Sequence, residues 1–554
     1  MEGIINSYGP MLNAYPDSLG PKLDNIIQVL RMPELTDAFS SFYILPSIYN
    51  SDLDRGFSVI DYNINEEYAC IDDLKALRDM RIDLKLDFIL NHASVLSPQF
   101  LDLLKNGEKS EYADFFIDWN KFWKGFGQMT SEGYIKPDDE YIKDMFFRKP
   151  GLPILMVRMP DGKNVPYWNT FYQEVIYRCP EPSDLVERLE LQYSTAVNIC
   201  KRIRSVLDKG GRPVDIDMTG YEKYKDSVTD LLESDRHYLG QMDLNIKSPL
   251  VWEHYRNTLK TLSEYGAKIV RLDAFAYAPK TPGLKNFLNE PDTWDVLDRV
   301  KKIADEYGLT LLPEIHASYS EGIYAKVAGK GYMTYDFFLP GLIIHSIENN
   351  TCKELAAWAK ELIDRDIQCV NMLGCHDGIP LLDLKGILSE SDITALIDTI
   401  VSRGGYVKDL HGQKNMYYQV NATYYSALGA DDHKMLLARA IQMFMPGKPQ
   451  VWYLDLFAGC NDHDAVKRAG AGGHKEINRT NLTDEYIRKA LTKEIVLKQL
   501  ALLKMRNTHP AFAQDSAISV SADYKTMTIE WINGDNKATL IANFDTYNYN
   551  IILS

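Results

Sequence analysis

Two hydrophobic rhythms alternate along the chain: short apolar runs ending in a polar or charged residue, and longer stretches with apolar residues every third or fourth position. The first predicts strands and the second predicts helices. Leu23, Ile26, Ile27 and Leu30 have helical spacing, residues 39–45 read as a strand stopped by Pro46, and 72–80 read as a helix. Residues 84–90 then form a strand that delivers Asn91 and His92. Strand, helix and strand with short links is the repeat of a parallel α/β sheet. Past His92 the rhythm is lost as far as residue 246. That stretch is rich in aromatic and charged residues and contains one strongly helical segment, 184–208, before Gly210-Gly211. It reads as a domain inserted over the sheet's C-terminal edge. The alternation resumes with helices at 252–265, 293–307, 319–328, 353–365 and 431–445. Strands at 267–273, 309–314, 332–338, 369–373 and 450–454 lie between them. With a short apolar run at 3–8 and the strands near 41 and 87, eight parallel strands are predicted, enough to close a (β/α)8 barrel. Beyond a helix at 496–506, residues 517–553 alternate apolar and polar positions around Asn533-Gly534, the signature of a small antiparallel sheet. The expected division is therefore 1–93 for the first part of the barrel, 94–246 for the insertion, 247–495 for the rest of the barrel, and 496–554 for a linker helix and β domain.

Composition narrows the class of function. A net charge of −16 and a pI near 5.3 argue against a nucleic-acid partner, since phosphate binding relies on a dense basic patch. Seven cysteines, an odd number with no C-x-x-C pair, suggest free thiols in a reducing compartment and no zinc site. The N-terminal MEGIINSYG has neither a basic nor an apolar signal region, and the run at 3–8 starts so early that no leader is expected. No apolar run of about 18 residues is present to span a bilayer. A cytoplasmic location is expected.

The candidate chemistry lies at the strand ends. In AKIVRLDAFAYAPK, from Ala267 to Lys280, alternation along the strand puts Arg271 and Asp273 on one face, with Leu272 on the other. One such pair is readily explained by capping and a local ion contact. The other strand ends, however, supply Asp54 and Phe57, His92, Glu314 and His316, and His376 and Asp377. Three carboxylates, histidines and an arginine brought to one barrel mouth are hard to explain by packing alone. Paired carboxylates in unlike environments suit glycosyl transfer, which needs one ionised group and one carrying a proton. Arg271 is expected to keep Asp273 charged. The apolar approach Leu311-Leu312-Pro313 is expected to keep Glu314 neutral. For a retaining reaction the two should lie roughly 5 to 5.5 Å apart.

The ordered motifs IDY, LNH, RLDAFAY, PEIH and CHDG resemble the α-amylase superfamily, glycoside hydrolase family 13. RGFSVIDY, RLDAFAYAPK, LLPEIHASY, YDFFLPGLIIHSI, HDGIPLLDLKG, YQVNATYYSALG and KEINR narrow the resemblance to its sucrose phosphorylase subgroup, over nearly the whole chain. The resemblance implies Asp273 as nucleophile, Glu314 as acid and base, and Asp377 as transition-state stabiliser. It places Asp54, Phe57, His92, Arg271, His376 and Arg479 around the glucosyl group, with Gln241, Tyr277 and His316 near the acceptor. Lys149, Lys414, Tyr418 and Gln419 fall on the acceptor and phosphate side. The implied reaction is phosphorolysis of sucrose to α-glucose 1-phosphate and fructose through a glucosyl-enzyme. It needs no metal or organic cofactor, and its partners are a sugar and inorganic phosphate. A homodimer is a possible assembly. Two departures bear on the substrate: Met416 stands where the subgroup carries an aspartate, and Lys149 where it carries an arginine. A more positive acceptor side makes sucrose 6F-phosphate the alternative donor. An α-glucosidase or transglucosidase would use the same three carboxylates, and a non-catalytic barrel would be expected to have lost one.

Overall fold

The computed structural model describes residues 8–148, 151–407, 419–470 and 473–554. Its centre is a parallel sheet of eight strands, numbered here in chain order. They are β1 Met11–Ala14, β2 Ser41–Ile44, β3 Asp83–Ile89, β4 Ala267–Asp273, β5 Thr310–Pro313, β6 Thr334–Asp336, β7 Cys369–Met372 and β8 Lys448–Trp452. Their spatial order is β5-β4-β3-β2-β1-β8-β7-β6, so the sheet curls into a nearly closed barrel. The predicted (β/α)8 architecture is therefore present.

One predicted strand is displaced. The run at 3–8 lies outside the described residues except for Tyr8, and the first barrel strand is MLNA, Met11–Ala14, paired with β2 and β8. MLNA is only four residues long and carries a buried Asn13 among its apolar residues, so it offers little periodicity to read. The helix expected at 184–208 is two helices, Pro182–Leu189 and Tyr193–Leu207. They are separated at Glu190, whose left-handed backbone (φ 53°) stops the first.

The barrel interior is polar at its waist. Lys85 of β3 is fully buried, donating to Tyr335 Oη at 2.5 Å and Gln450 Oε1 at 2.6 Å, with its ammonium 3.9 Å from the centre of the Tyr43 ring. Two strand residues further on is Asp87, which register places beside Arg271 of β4. Amphipathic helices cover the outside; Asp292–Glu306, for example, turns Leu297, Val300, Ile303 and Ala304 inward.

Between β3 and β4 the chain builds a three-stranded antiparallel sheet from His92–Ser94, His237–Asp243 and Gln173–Ile176, and a hairpin of Ile154–Arg158 with Asn164–Trp168. The two helices already described and Lys225–Ser234 pack around a small core of their own, including Leu185, Ile199, Ile203, Val228 and Leu232. Beyond the barrel, helix Glu494–Thr508 leads to the predicted antiparallel sheet, whose four strands are Ala517–Ala522, Thr526–Asn533, Asn536–Asn543 and Tyr549–Leu553. Among the described residues no helix is long and apolar enough to cross a membrane. All seven cysteines are free thiols.

Candidate active site

The site grows from the C-terminal end of β4. Arg271 and Asp273 project to the same side, and immediately after Asp273 the chain turns at Ala274 in a left-handed conformation (φ 52°). Arg271 is almost completely buried and spreads its guanidinium over three carboxylates. Nη1 lies 2.5 Å from Asp87 and 2.9 Å from Asp273, and Nη2 lies 2.8 Å from Glu314 of the β5 end. Two acids from adjacent strands are thus gathered on one cation.

Burial and the shared arginine pull the pKa values of the two carboxyls apart. Burial pushes the Asp273 carboxyl up to about 8, which the opposing attraction of Arg271 does not offset; Glu314 and Asp87 push it further. Burial also works against a charged Glu314. Arg271 outweighs it together with His316, whose Nε2 is 3.4 Å away, and the carboxyl is held down to about 2. The apolar residues preceding Glu314 run along the strand, whereas the carboxyl itself meets two cations, Arg271 on the adjacent strand and His316 two residues further on. The pair still carries one proton between them at neutral pH, and two acids sharing one arginine titrate as a unit.

His316 lies between acids, with Nε2 toward Glu314 and Nδ1 3.4 Å from the buried Asp383, and it stacks on Phe337 at 3.9 Å. Burial opposes its charge, but Asp383 and Glu314 prevail and raise it to about 9. From β7 comes the turn Cys375-His376-Asp377. Asp377 meets His376 Nε2 at 3.1 Å, Lys475 Nζ at 2.6 Å and Arg479 Nη2 at 3.6 Å. Against the cost of burial, these cations keep Asp377 well below the usual carboxylate range.

Opposite these groups, Asp54 and Phe57 lie at the tip of a β-hairpin, Tyr49–Leu53 with Ser58–Ile64. Asp54, Arg55 and Gly56 all have positive φ (51°, 48° and 113°), and a Cβ on Gly56 would lie 2.1 Å from the Ser47 amide nitrogen. Only glycine permits so close an approach. The tip aims the Phe57 ring at His376, with which it stacks at 5.2 Å, while the Phe57 carbonyl is 3.0 Å from His92 Nε2 and accepts from Gln241 Nε2 at 3.2 Å. Pairing of His92 with Asp243 and of Ser94 with Gln241 holds these two side chains in register. Burial lowers His92 to about 4, so the ring is neutral. Tyr277 Oη accepts from Arg148 at 3.4 Å and its ring meets Phe171 at 5.2 Å. Gln419 joins Arg271, Glu314, His316 and Asp377 around one small cavity at the mouth.

The structure therefore brings together Asp273, Glu314, Asp377, Phe57, His92, Gln241, Arg271, His316, His376 and Arg479, with Asp54 within electrostatic reach of Arg479. Lys149, Lys414 and Tyr418, like Met416, lie outside the described residues. No protein-family model matches the chain. Individual relatives do. It is 48% identical over 98% of its length to a sucrose 6(F)-phosphate phosphorylase of Ilumatobacter coccineus, covering 95% of that protein. It is 31% identical over 96% of its length to a sucrose phosphorylase of Streptococcus mutans, covering 94% of it. A crystal structure of sucrose 6F-phosphate phosphorylase from Thermoanaerobacter thermosaccharolyticum superposes with a TM-score of 0.80 at 32% identity, covering 99% of this chain and 95% of that one. The chain belongs to the sucrose phosphorylase group of glycoside hydrolase family 13.

Within this family frame, four residues in the site were missed from the sequence. Asp87 and Lys85 stand out in LKLDFIL as charges on one face of an apolar strand, a signal that was present. Lys475 precedes Arg479 by four residues, one helical turn, in KEINR. Asp383, in LLDLKG, gave no signal. As for metals, Cys375, His376 and Asp377 are the one group among the described residues with donor atoms within 4.8 Å of one another. A cation there would have to compete with Lys475 for Asp377, which makes the group a poor fit for a resident metal.

Proposed function

We propose that this protein transfers a glucosyl group from sucrose 6F-phosphate to inorganic phosphate with retention, giving α-glucose 1-phosphate and fructose 6-phosphate. The observation that carries this reading is the placement of Asp273 and Glu314 on the two arms of one guanidinium, 2.9 and 2.8 Å away. An ionised Asp273 attacks the anomeric carbon while Glu314 gives its proton to the departing ketose oxygen. Because the two carboxyls share one arginine and titrate as a unit, a single proton held by the pair can sit on Glu314 while Asp273 is ionised. Asp377, held ionised by His376, Lys475 and Arg479, stabilises positive charge developing on the sugar. Phosphate then enters from the vacated side, gives a proton to Glu314 and breaks the bond to Asp273.

Both donors named from the sequence occur among the relatives. The phosphorylated one is favoured here by the 48% identical relative, by Lys149 and Lys414, and by Met416 in place of a carboxylate that would repel a phosphate. The test is to incubate the protein with sucrose or sucrose 6F-phosphate, with and without phosphate, and to follow glucose 1-phosphate and glucose. Glucose 1-phosphate is expected only with phosphate, and faster from the phosphorylated donor. Equal glucose release in both conditions would remove the phosphorylase reading, and faster turnover of sucrose would reverse the choice of donor.

A further inference from the structure

Lys475 is placed differently from the other cations of the site. Arg271 and Arg479 are buried, with side chains only 4% and 2% exposed, whereas the Lys475 side chain keeps 31% of its surface open while its ammonium contacts Asp377 at 2.6 Å. Its position is fixed from behind. In the loop that carries it, Gly473–Asn478, Asn478 donates to the Cys375 carbonyl at 2.9 Å, and next to it Arg479 Nε donates to the His376 carbonyl at 2.8 Å. Arg55 fastens the same loop through the Arg479 carbonyl at 3.2 Å and Glu476 at 3.7 Å. The loop is thus tied to the turn bearing Asp377, which places the lysine stem beside that carboxylate.

Its strongest charged neighbours are Asp377, Asp54 and Arg479, while Asp273 and Glu314 are gathered by Arg271. An anomeric carbon held between Asp273 and Glu314 leaves the far side of its pyranose ring facing the Asp54, Asp377 and Lys475 cluster. That side carries the C3 and C4 hydroxyls. Two carboxylates there can only accept hydrogen bonds, so hydroxyls pointing at them must donate. The Lys475 ammonium, held on Asp377 at the end of a partly open side chain, supplies the donor that fixes the hydroxyl oxygens, completing their bonding.

We propose that Lys475 is a further substrate-binding residue, donating to the C3 and C4 hydroxyls of the bound glucosyl group. This rests on the glucosyl-transfer reading above but not on which ketose departs. The test therefore uses α-glucosyl fluoride and its 2-, 3- and 4-deoxy analogues as donors with phosphate, on the wild-type protein and on Lys475→Met and Lys475→Arg. Formation of glucose 1-phosphate from α-glucosyl fluoride by the wild type checks the underlying reading independently.

Lys475→Met is expected to lose roughly ten- to hundredfold in kcat/KM with α-glucosyl fluoride and its 2-deoxy analogue, the range for a hydrogen bond to a charged group. With the 3-deoxy or 4-deoxy donor the same substitution is expected to cost several-fold less, because the partner is already gone. Lys475→Arg is expected to recover part of the loss. An equal loss with all four donors would mean that Lys475 acts only through Asp377, and no loss at all would mean that it is a surface ion pair; either result overturns the proposal. If Lys475→Met does not fold, the same comparison is made with Lys475→Gln.

Discussion

One guanidinium has two amino groups, and Arg271 uses both, so its charge cannot be assigned to the carboxylate that happens to follow it in sequence. From RLD alone, Asp273 reads as the protected anion and Glu314 as the neutral acid; in space the same arginine serves both, and His316 tips the balance toward an ionised Glu314. The alternation of the strand made the Arg271–Asp273 pair legible, but the second arm of the arginine crosses to another strand and is invisible in one dimension. The shared proton has a consequence for pH. The upper titration of the pair, carried by Asp273 at about 8, removes the last proton as pH rises, and with it the proton destined for the leaving group. kcat/KM for sucrose 6F-phosphate is therefore expected to fall about tenfold per unit well above pH 8. α-Glucosyl fluoride, whose leaving group needs little protonation, should show a much flatter alkaline limb. Parallel limbs for the two donors in a pH–rate profile would show that the lost proton is not the one given to the leaving oxygen.

Among the elements, legibility followed length and regularity. The helices Pro249–Glu264, Asp292–Glu306, Lys353–Asp364, Asp432–Phe444 and Glu494–Thr508 and the strands β3, β4, β5 and β7 could be read to within a few positions, because each has an apolar run bounded by a turn signal, whereas helix Glu390–Ser402 was not read at all. The last sheet could be read too: Asn533 pairs with Asn536 across Gly534, whose positive φ of 56° suits a two-residue hairpin loop. The hairpin carrying Asp54 and Phe57 could not. YNSDL lacks alternation, and its pairing with the returning strand slips register at several points. Both residues were nonetheless placed at the site from their position after β2. What the sequence concealed is why they stay there: three consecutive positive φ values, closed by a glycine pressed against the Ser47 amide. Gly56→Ala must either move the tip or leave a Cβ 2.1 Å from that nitrogen. Either response displaces the Phe57 ring from His376 and its carbonyl from His92 and Gln241. Misplacement of this kind costs on the order of a hundredfold. The variant is expected to fold and to lose about that factor in kcat/KM for the glucosyl donor. Wild-type steady-state kinetics would show that the hairpin does not position the site.

At the scale of the whole molecule, the C-terminal sheet contributes none of the catalytic groups proposed here, yet a buried cation helps to lock it to the barrel. Arg506, on helix Glu494–Thr508, donates to three backbone carbonyls: Tyr8 at 3.3 Å, Met443 at 3.0 Å and Gly447 at 2.8 Å. Its guanidinium lies 4.2 Å from the centre of the Trp531 ring, and Trp531 in turn donates to the Phe444 carbonyl at 2.7 Å. Burial pulls this arginine down to about 9, a sign of how much hydration it gives up. Those carbonyls lie at the start of the chain and around the turn into β8, so the contact joins the N-terminal segment, the last barrel strand and the sheet at one point. Arg506→Met preserves the bulk of the stem and its contact with Trp531 but leaves three buried acceptors without this donor. At about 1–3 kcal/mol for each unsatisfied group, offset by release of the buried charge, the net loss should be on the order of 3 kcal/mol. Because a chain of this size is expected to unfold irreversibly, the loss should appear as a shorter half-life on heating, with kcat of the surviving fraction unchanged. A variant as durable as the wild type, or one equally durable but slower in turnover, would remove Arg506 from the role of clamp between sheet and barrel.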